Sequence, residues 1–190
     1  MDPLEQHARA MDEFDGRIRL VGDDQWQLST PCTDWNVRDL VNHLVAEQLW
    51  APHLLTGATL EEVGDRFEGD LLGPDPVGTW EQSSRAARAA FVAPGALDGT
   101  VHTTMGEIPT LEYTRQMTID LAIHAWDLAR AIGVDDELDE ELVEDLHEIW
   151  EPRTQMLASS GVFAPPVEVP ADADLQAQLL GILGRERDEG

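Results

Sequence analysis

The feature that most constrains the fold is the recurrence of apolar residues at helical spacing over most of the chain. In residues 3–21 apolar side chains recur every three or four positions, which places them on one face of a helix. The members of this stripe are Leu4, Ala8, Met11, Phe14, Ile18 and Val21. Stripes of the same period follow over residues 36–55, 76–91, 109–132 and 139–158. Helices of this kind bury their apolar faces against one another, so the sequence predicts a helical bundle.

Polar residues, proline and glycine mark where these helices begin and end. Asn36 and Asp39 stand at the N-cap and third positions of the second helix, and the pair Asp75–Pro76 is a typical helix start. Gly133 is a typical helix end. Pro152 is expected to bend or restart the acidic helix that follows, because proline removes a backbone donor and clashes with the preceding turn.

Residues 97–108 break the helical pattern. The β-prone run 100–104, followed by a glycine at a turn position, predicts a small hairpin. The predicted fold is therefore all-α apart from this hairpin. It consists of an antiparallel four-helix bundle over residues 1–134 and a helical C-terminal extension over residues 135–190, packed on the same domain.

Charge and cysteine content exclude several classes of function. The 190-residue chain carries 38 acidic and 12 basic residues, a formal net charge of −26, which disfavours nucleic acids and anionic membranes as partners. All 12 basic residues are arginine, so mechanisms that need a catalytic lysine are excluded.

The single Cys32 excludes an internal disulfide framework. Without a secretory leader or a membrane-length apolar run, we expect a cytoplasmic protein. A homodimer is compatible with this charge only through mainly apolar contacts.

Two polar pairs interrupt the apolar faces of the second and fourth helices. Asp120 and His124 lie four residues apart, and so do His43 and Glu47, so each pair leaves one face of its helix. A carboxylate and an imidazole among apolar neighbours need a partner, since unpaired buried polar groups are costly. One such partner is a divalent cation, which bundles commonly bind through inward-facing side chains. We therefore predict a metal site with His43, Asp120 and His124 as ligands and one open coordination position.

The same residues also have simpler explanations. A lone histidine on an apolar face is more often hydrogen-bonded in the core, and this is what we expect of His7. Imidazole and carboxylate ligands favour zinc, with nickel or ferrous iron as alternatives. Asp127 is expected to accept a hydrogen bond rather than bind the metal. Glu47 is open to three roles, a fourth ligand, a general base or a solvated neighbour, and we expect it beside the ligands. Trp35 is expected to pack in the core.

Two stretches of the chain carry a resemblance to a known family. They read Thr30-Pro31-Cys32-x-x-Trp35-x-Val37-Arg38-Asp39-Leu40-Val41-x-His43-Leu44 and Asp120-x-x-x-His124-x-Trp126-Asp127-Leu128-Ala129-Arg130-Ala131. The chain resembles the metal-binding domain of mycothiol-dependent maleylpyruvate isomerases and, more narrowly, an actinobacterial family of metal-binding proteins in the DinB-like superfamily. The resemblance implies a divalent metal, zinc in the isomerase, held by a histidine of the second helix and an acid-x-x-x-His pair of the fourth. These ligands fall on His43, Asp120 and His124. The isomerase has glutamate at the position of Asp120, and its separate C-terminal domain is expected to be missing here.

Three functions compete on this sequence. The first is a metal-dependent enzyme that uses a low-molecular-weight thiol, an isomerase or S-transferase with mycothiol as co-substrate and a small electrophile as second substrate. In that function Glu47 would take the proton of the thiol. The second is a metal-binding stress or regulatory module without chemistry, and the third is a structural bundle whose polar cluster is satisfied internally. The sequence favours the first function but does not separate it from the second.

Overall fold

The computed structural model describes residues 1–160 and 163–187, and the contacts within it divide the chain into two units. One unit spans Asp2–Val134, and the other comprises Met1 and the described residues of Asp135–Gly190. None of the helices formed by these described residues is long and apolar enough to cross a membrane. The packing of residues 135–190 on the bundle stays a prediction.

Four long helices form the first unit. They are α1 (Pro3–Ile18), α2 (Val37–Leu55), α4 (Pro76–Phe91) and α5 (Thr110–Ile132), and the single-turn helix α3 (Leu60–Val63) lies in the connection between α2 and α4. Helix α1 packs against α5 and α4, and α2 packs against α4 and α5, so each helix has two neighbours. The predicted fold class, a mostly helical bundle with a small hairpin, is confirmed.

The predicted helix ends are also present. The Asn36 side chain accepts from the Asp39 N–H at 2.9 Å, and the Asp39 carboxylate accepts from the Asn36 N–H at 3.1 Å, which completes a capping box at the start of α2. Asp75 caps α4 through its side chain, with Pro76 in the first turn. Gly133 ends α5 in the left-handed conformation, with φ of 74°, as glycine does at many helix C-termini.

Large side chains fill the centre of the bundle. The Phe14 and Trp80 rings of α1 and α4 meet edge to face with their centroids 4.6 Å apart, and the Trp80 indole N–H donates to Asp15 at 3.2 Å. Trp126 of α5 is buried, as expected of a core residue. Because protein interiors are close-packed, these contacts hold the helices in a fixed arrangement, on which the position of every inward-facing polar side chain depends.

A β-hairpin connects α4 to α5. Strands β1 (Thr100–Thr103) and β2 (Gly106–Pro109) pair antiparallel, with Val101 opposite Ile108, which confirms the predicted hairpin. Val101 is fully buried, and Gly106 takes a φ of 106° at the turn. The hairpin leads directly into the first residue of α5 and contacts both α2 and α5, so it fixes where α5 begins.

The second unit is built from α6 (Glu140–Trp150), α7 (Thr154–Ser160) and α8 (Leu175–Ile182). A 3-10 turn over Glu151–Arg153 contains Pro152 and separates α6 from α7, so the predicted restart of the acidic helix is confirmed. An extended segment lies against α8, where the Val167 N–H donates to the Gly181 carbonyl at 2.9 Å. Any side chain at Gly181 would collide with Val169, so this close approach requires glycine.

Candidate metal centre

The structure brings together the three side chains that the sequence predicts as metal ligands. His43 lies in the middle of α2, and Asp120 and His124 lie one turn apart on α5. The His43 Nε2 is 3.1 Å from one Asp120 carboxylate oxygen, and the His124 Nε2 is 3.4 Å from the other. One nitrogen or oxygen atom from each residue lies within 4.8 Å of the other two. The carboxylate therefore stands between two imidazoles from different helices.

Asp127 holds the ring of His124 from the opposite side. The His124 Nδ1–H donates to an Asp127 oxygen at 3.0 Å, and Asp127 is completely buried. The prediction that Asp127 accepts a hydrogen bond is confirmed. This bond orients the ring so that Nε2 is directed at Asp120. A carboxylate behind a histidine is the usual support of a metal-binding imidazole.

Burial and neighbouring charges shift the pKa values of Asp120 and His124 in opposite directions. Burial alone would raise the pKa of Asp120, but the neighbouring charges and hydrogen bonds of His43 and His124 outweigh it and hold the pKa far below its usual range. Burial would lower the pKa of His124, but Asp120 and Asp127 outweigh it and raise the pKa to about 9. In the metal-free protein the cluster is thus a carboxylate stabilised by imidazolium charge.

The donor set and its spacing fit a divalent cation. Two imidazole nitrogens and one carboxylate oxygen suit zinc, nickel or ferrous iron. The two imidazole rings stand nearly perpendicular, with centroids 5.2 Å apart, so the two rings approach the carboxylate from different directions. A cation among these atoms would replace the protons that lie between the imidazole nitrogens and the carboxylate oxygens. Three protein ligands would leave one coordination position of the cation open for a further ligand.

Glu47 lies one helical turn beyond His43 on α2 and is half-buried. Burial raises the pKa of its carboxyl group, and the charge of Asp120 raises it further, while His43 and His124 partly oppose this. Among the described residues, the group of potential ligand atoms comprises His43, Asp120 and His124 without Glu47. The structure thus places Glu47 within electrostatic reach of the site but outside the cluster.

Trp35 is a residue of the site that the sequence reading missed. It was expected in the core, but it is only half-buried, and its ring lies 4.7 Å from the His43 ring and 5.5 Å from the His124 ring, centroid to centroid. The loop before α2 holds it there, since Thr30 donates to the Trp35 carbonyl through both its N–H and its hydroxyl. Trp35 directly precedes the residue that caps the helix carrying His43, and this position in the sequence could have indicated that Trp35 lies near the site.

The prediction for His7 is correct about its burial and wrong about its hydrogen bonding. It is buried in α1, as expected, and its ring lies 4.2 Å from Phe91. However, its Nε2 has no hydrogen-bond partner in the described part of the chain, so the expectation of a satisfied core histidine is incorrect for that nitrogen. Burial, together with the charge of Arg88, lowers the pKa of His7 to about 4. His7 is therefore neutral at physiological pH.

The fold of this chain is a DinB-like helical bundle. The family model described as "Mycothiol maleylpyruvate isomerase N-terminal domain" matches residues 7–129. This match covers more than half of the chain and includes the whole cluster, and the chain belongs to that family. It is also 33% identical over 147 residues to the uncharacterized proteins MT0763 and Rv0738, from Mycobacterium tuberculosis strains CDC 1551 and H37Rv. Each alignment covers 75% of this chain and 74% of the relative.

Two solved structures share the fold. The crystal structure of a mycothiol-dependent maleylpyruvate isomerase superposes with a TM-score of 0.69 and 17% identity, over 98% of this chain and 89% of that chain. A histidine-to-alanine mutant of such an isomerase gives a TM-score of 0.66 and 16% identity, over 96% and 88%. Because these alignments extend past the bundle and leave little of the isomerases unmatched, the expectation that their C-terminal part is missing here is wrong.

Proposed function

We propose that this protein is a mycothiol-using enzyme, an isomerase or S-transferase, that binds a divalent cation through His43, Asp120 and His124. Zinc is the cation that we favour, with nickel and ferrous iron as alternatives. The observation that carries the proposal is the meeting of His43 from α2 with the Asp120–His124 pair from α5, in a chain of this family. Relatives named as mycothiol-dependent isomerases support the thiol as co-substrate.

A divalent cation at this position supplies a Lewis acid that lowers the pKa of a coordinated thiol or water. The chain's own residues prepare the site for it. Asp127 keeps the proton of His124 on Nδ1, so that Nε2 remains available. The Trp35 ring packs beside both imidazoles and helps to fix their orientation.

Glu47 is the group that we assign to accept the proton of the thiol. It lies on the same face of α2 as His43, and its side chain is half-buried. A carboxylate in that position can accept the proton as the thiol becomes a thiolate and return it when the thiol leaves. The thiolate is the nucleophilic form, so this transfer precedes attack on an electrophilic double bond or leaving group.

The test is turnover of mycothiol with an electrophile by zinc-loaded protein, with maleylpyruvate as the first electrophile to try. We expect activity that is lost in His124→Ala and in Glu47→Gln, with metal retained in the second variant. His53→Ala is the matched control, because His53 lies near the end of α2 and contacts Phe67 instead of the cluster. One equivalent of bound metal with no turnover of any thiol would support the non-catalytic metal-binding module instead.

A further inference from the structure

A cleft of about 210 Å³ is formed entirely by residues of the second unit. It is bounded by the end of α6, the 3-10 turn and the start of α7, the extended segment that precedes α8, and α8 itself. None of the residues of the candidate metal centre lines it. Sites of roughly 300–1,000 Å³ take drug-sized ligands, so this cleft is sized for a smaller molecule.

Close packing fixes the wall that the extended segment contributes. The Val167 N–H is bonded to the Gly181 carbonyl, and a Cβ at Gly181 would collide with the side chain of Val169. A Cβ at Gly184, in the turn after α8, would collide in the same way with Ala164. Because both of these positions are glycine, the extended segment lies directly on α8 and the turn that follows it.

The polar groups that line the cleft present hydrogen-bond acceptors. Thr154 donates its hydroxyl proton to the Glu151 carbonyl at 2.7 Å, so its oxygen can only accept from a ligand. Gln178 donates through Nε2 to the Ala173 carbonyl at 2.7 Å, which fixes the orientation of the amide and leaves Oε1 as an acceptor. The Glu151 carboxylate is a third acceptor, and the imidazole of His147 is a fourth in its neutral form.

The negative charge of Glu151 is not neutralised by the arginines of this unit. Glu151 is exposed and forms no ion pair within the described residues. Arg153 lies over the Trp150 ring, Arg185 donates to a backbone carbonyl, and Arg187 pairs with three other carboxylates. Residues 135–187 contain 14 acidic side chains against these three arginines, so the electrostatic field at the cleft attracts cations.

The rest of the lining is largely apolar. It includes Val167 and Val169 of the extended segment and Ile182 at the end of α8. An aliphatic group placed against these side chains would leave water, and each buried methylene group strengthens binding by about fourfold. The cleft thus combines an anionic, acceptor-rich part with an apolar part.

We propose that this cleft binds an alkylammonium group, that is, a protonated amine on a short aliphatic chain. An ammonium group has three N–H donors and no acceptor, which matches the acceptors of Glu151, Gln178 and Thr154. The aliphatic chain would lie against Val169 and Ile182. The group belongs either to a free amine or to a lysine side chain of another protein, since this chain contains no lysine. The inference is independent of the proposed function.

The experiment is a titration of the chelator-treated protein, followed by the backbone amide signals in ¹H–¹⁵N NMR spectra at constant ionic strength. The probes are n-butylammonium, n-butanol as its neutral counterpart, and methylammonium as its short counterpart. We expect n-butylammonium to shift the signals of Val167, Val169 and Gln178 with a Kd in the millimolar range. n-Butanol should bind about 3- to 10-fold more weakly, and methylammonium at least about 10-fold more weakly.

Two variants with the same change of charge test the role of the carboxylate. Glu151→Gln should weaken the binding of n-butylammonium by about 3- to 10-fold and leave that of n-butanol unchanged. Glu148→Gln is the matched control, because Glu148 is an exposed acid of α6 that does not line the cleft, and it should bind n-butylammonium like the wild type.

A further probe distinguishes the two sources of the ammonium group. Nα-acetyl-lysine methylamide carries the butylammonium group on a peptide unit, so binding tighter than that of n-butylammonium supports a lysine side chain as the ligand, and weaker binding supports a free amine. Equal Kd values for n-butylammonium and n-butanol, equal effects of the two variants, or shifts confined to signals of residues 2–134 would overturn the inference. None of these results bears on the turnover assay, so the proposed function stands or fails separately.

Discussion

The folding free energy of this protein should depend on pH through His7. This histidine is 2% exposed in α1, and its pKa is lowered from 6.5 to about 4, mainly by burial and further by Arg88. Above pH 6.5 the imidazole is neutral in both the folded and the unfolded chain. Between pH 6.5 and 4 the unfolded chain binds a proton that the folded chain excludes, so stability falls as the pH falls. The pKa difference corresponds to a loss of about 3 kcal/mol, most of which is reached by pH 4 and which levels off below it.

His7→Phe removes this titration and keeps a ring against Phe91. The measurement is the free energy of unfolding in urea for both proteins, from pH 7.5 down to 4, with a chelator present. The 38 carboxyl groups and the other histidines occur in both proteins, so their contributions cancel in the difference. We expect the variant to gain about 3 kcal/mol relative to the wild type over this range, at about 1.4 kcal/mol per pH unit near its centre. A difference that is constant with pH would show that His7 is protonated, or exposed, in the folded protein and would refute the reasoning.

Two further substitutions test individual contacts. Asp127→Asn should lower zinc affinity by about 10- to 100-fold, because the carboxylate that orients His124 is lost. Competition with a chromophoric chelator measures the Kd for zinc, and a Kd equal to that of the wild type would contradict this prediction. Gly133→Ala should destabilise the bundle by about 1 kcal/mol in urea unfolding. A Cβ at Gly133 would meet no neighbouring atom, so this cost would come from the positive φ alone. An unchanged midpoint would show that the end of α5 relaxes.

The local parts of this fold could be predicted from the sequence because their causes are local. A capping box or a helix-terminal glycine involves residues within a few positions, and both lie where the pattern predicts them. The stripe of α1 is less sharp: it includes Val21, whereas the helix ends at Ile18. Periodicity alone does not distinguish a helical residue from an apolar residue in the turn that follows.

The candidate site also has a part that could be predicted from local sequence and a part that depends on how the helices pack. Asp120 and His124 could be paired from their spacing, whereas the contact with His43 spans 77 residues of sequence and depends on how α2 and α5 pack. Helical spacing pairs residues only within one helix; the prediction that the two helices meet came from the way bundles bind metals through inward-facing side chains, and the family resemblance implied the same contact. Trp35 lies over the imidazoles because of hydrogen bonds in an irregular loop, for which the sequence has no periodic pattern.

Unsatisfied polar groups were the least predictable feature. A helical stripe indicates that His7 and Tyr113 face inward, but whether a donor or acceptor awaits them depends on residues of other helices. The structure shows a buried polar atom without a partner at both positions within its described residues. Since native proteins pair most buried polar groups, such exceptions are where further chemistry is best sought.

Anomalous diffraction at the zinc absorption edge, from crystals grown with one equivalent of zinc, tests the central claim most directly. We expect one peak among His43, Asp120 and His124, with imidazole nitrogens at about 2.0–2.1 Å and a fourth position not filled by protein. Crystals of His124→Ala should lack this peak. The absence of a peak at these residues in the wild type, or imidazoles of His43 and His124 that still face Asp120 with zinc bound elsewhere, would contradict the metal site and the enzyme built on it.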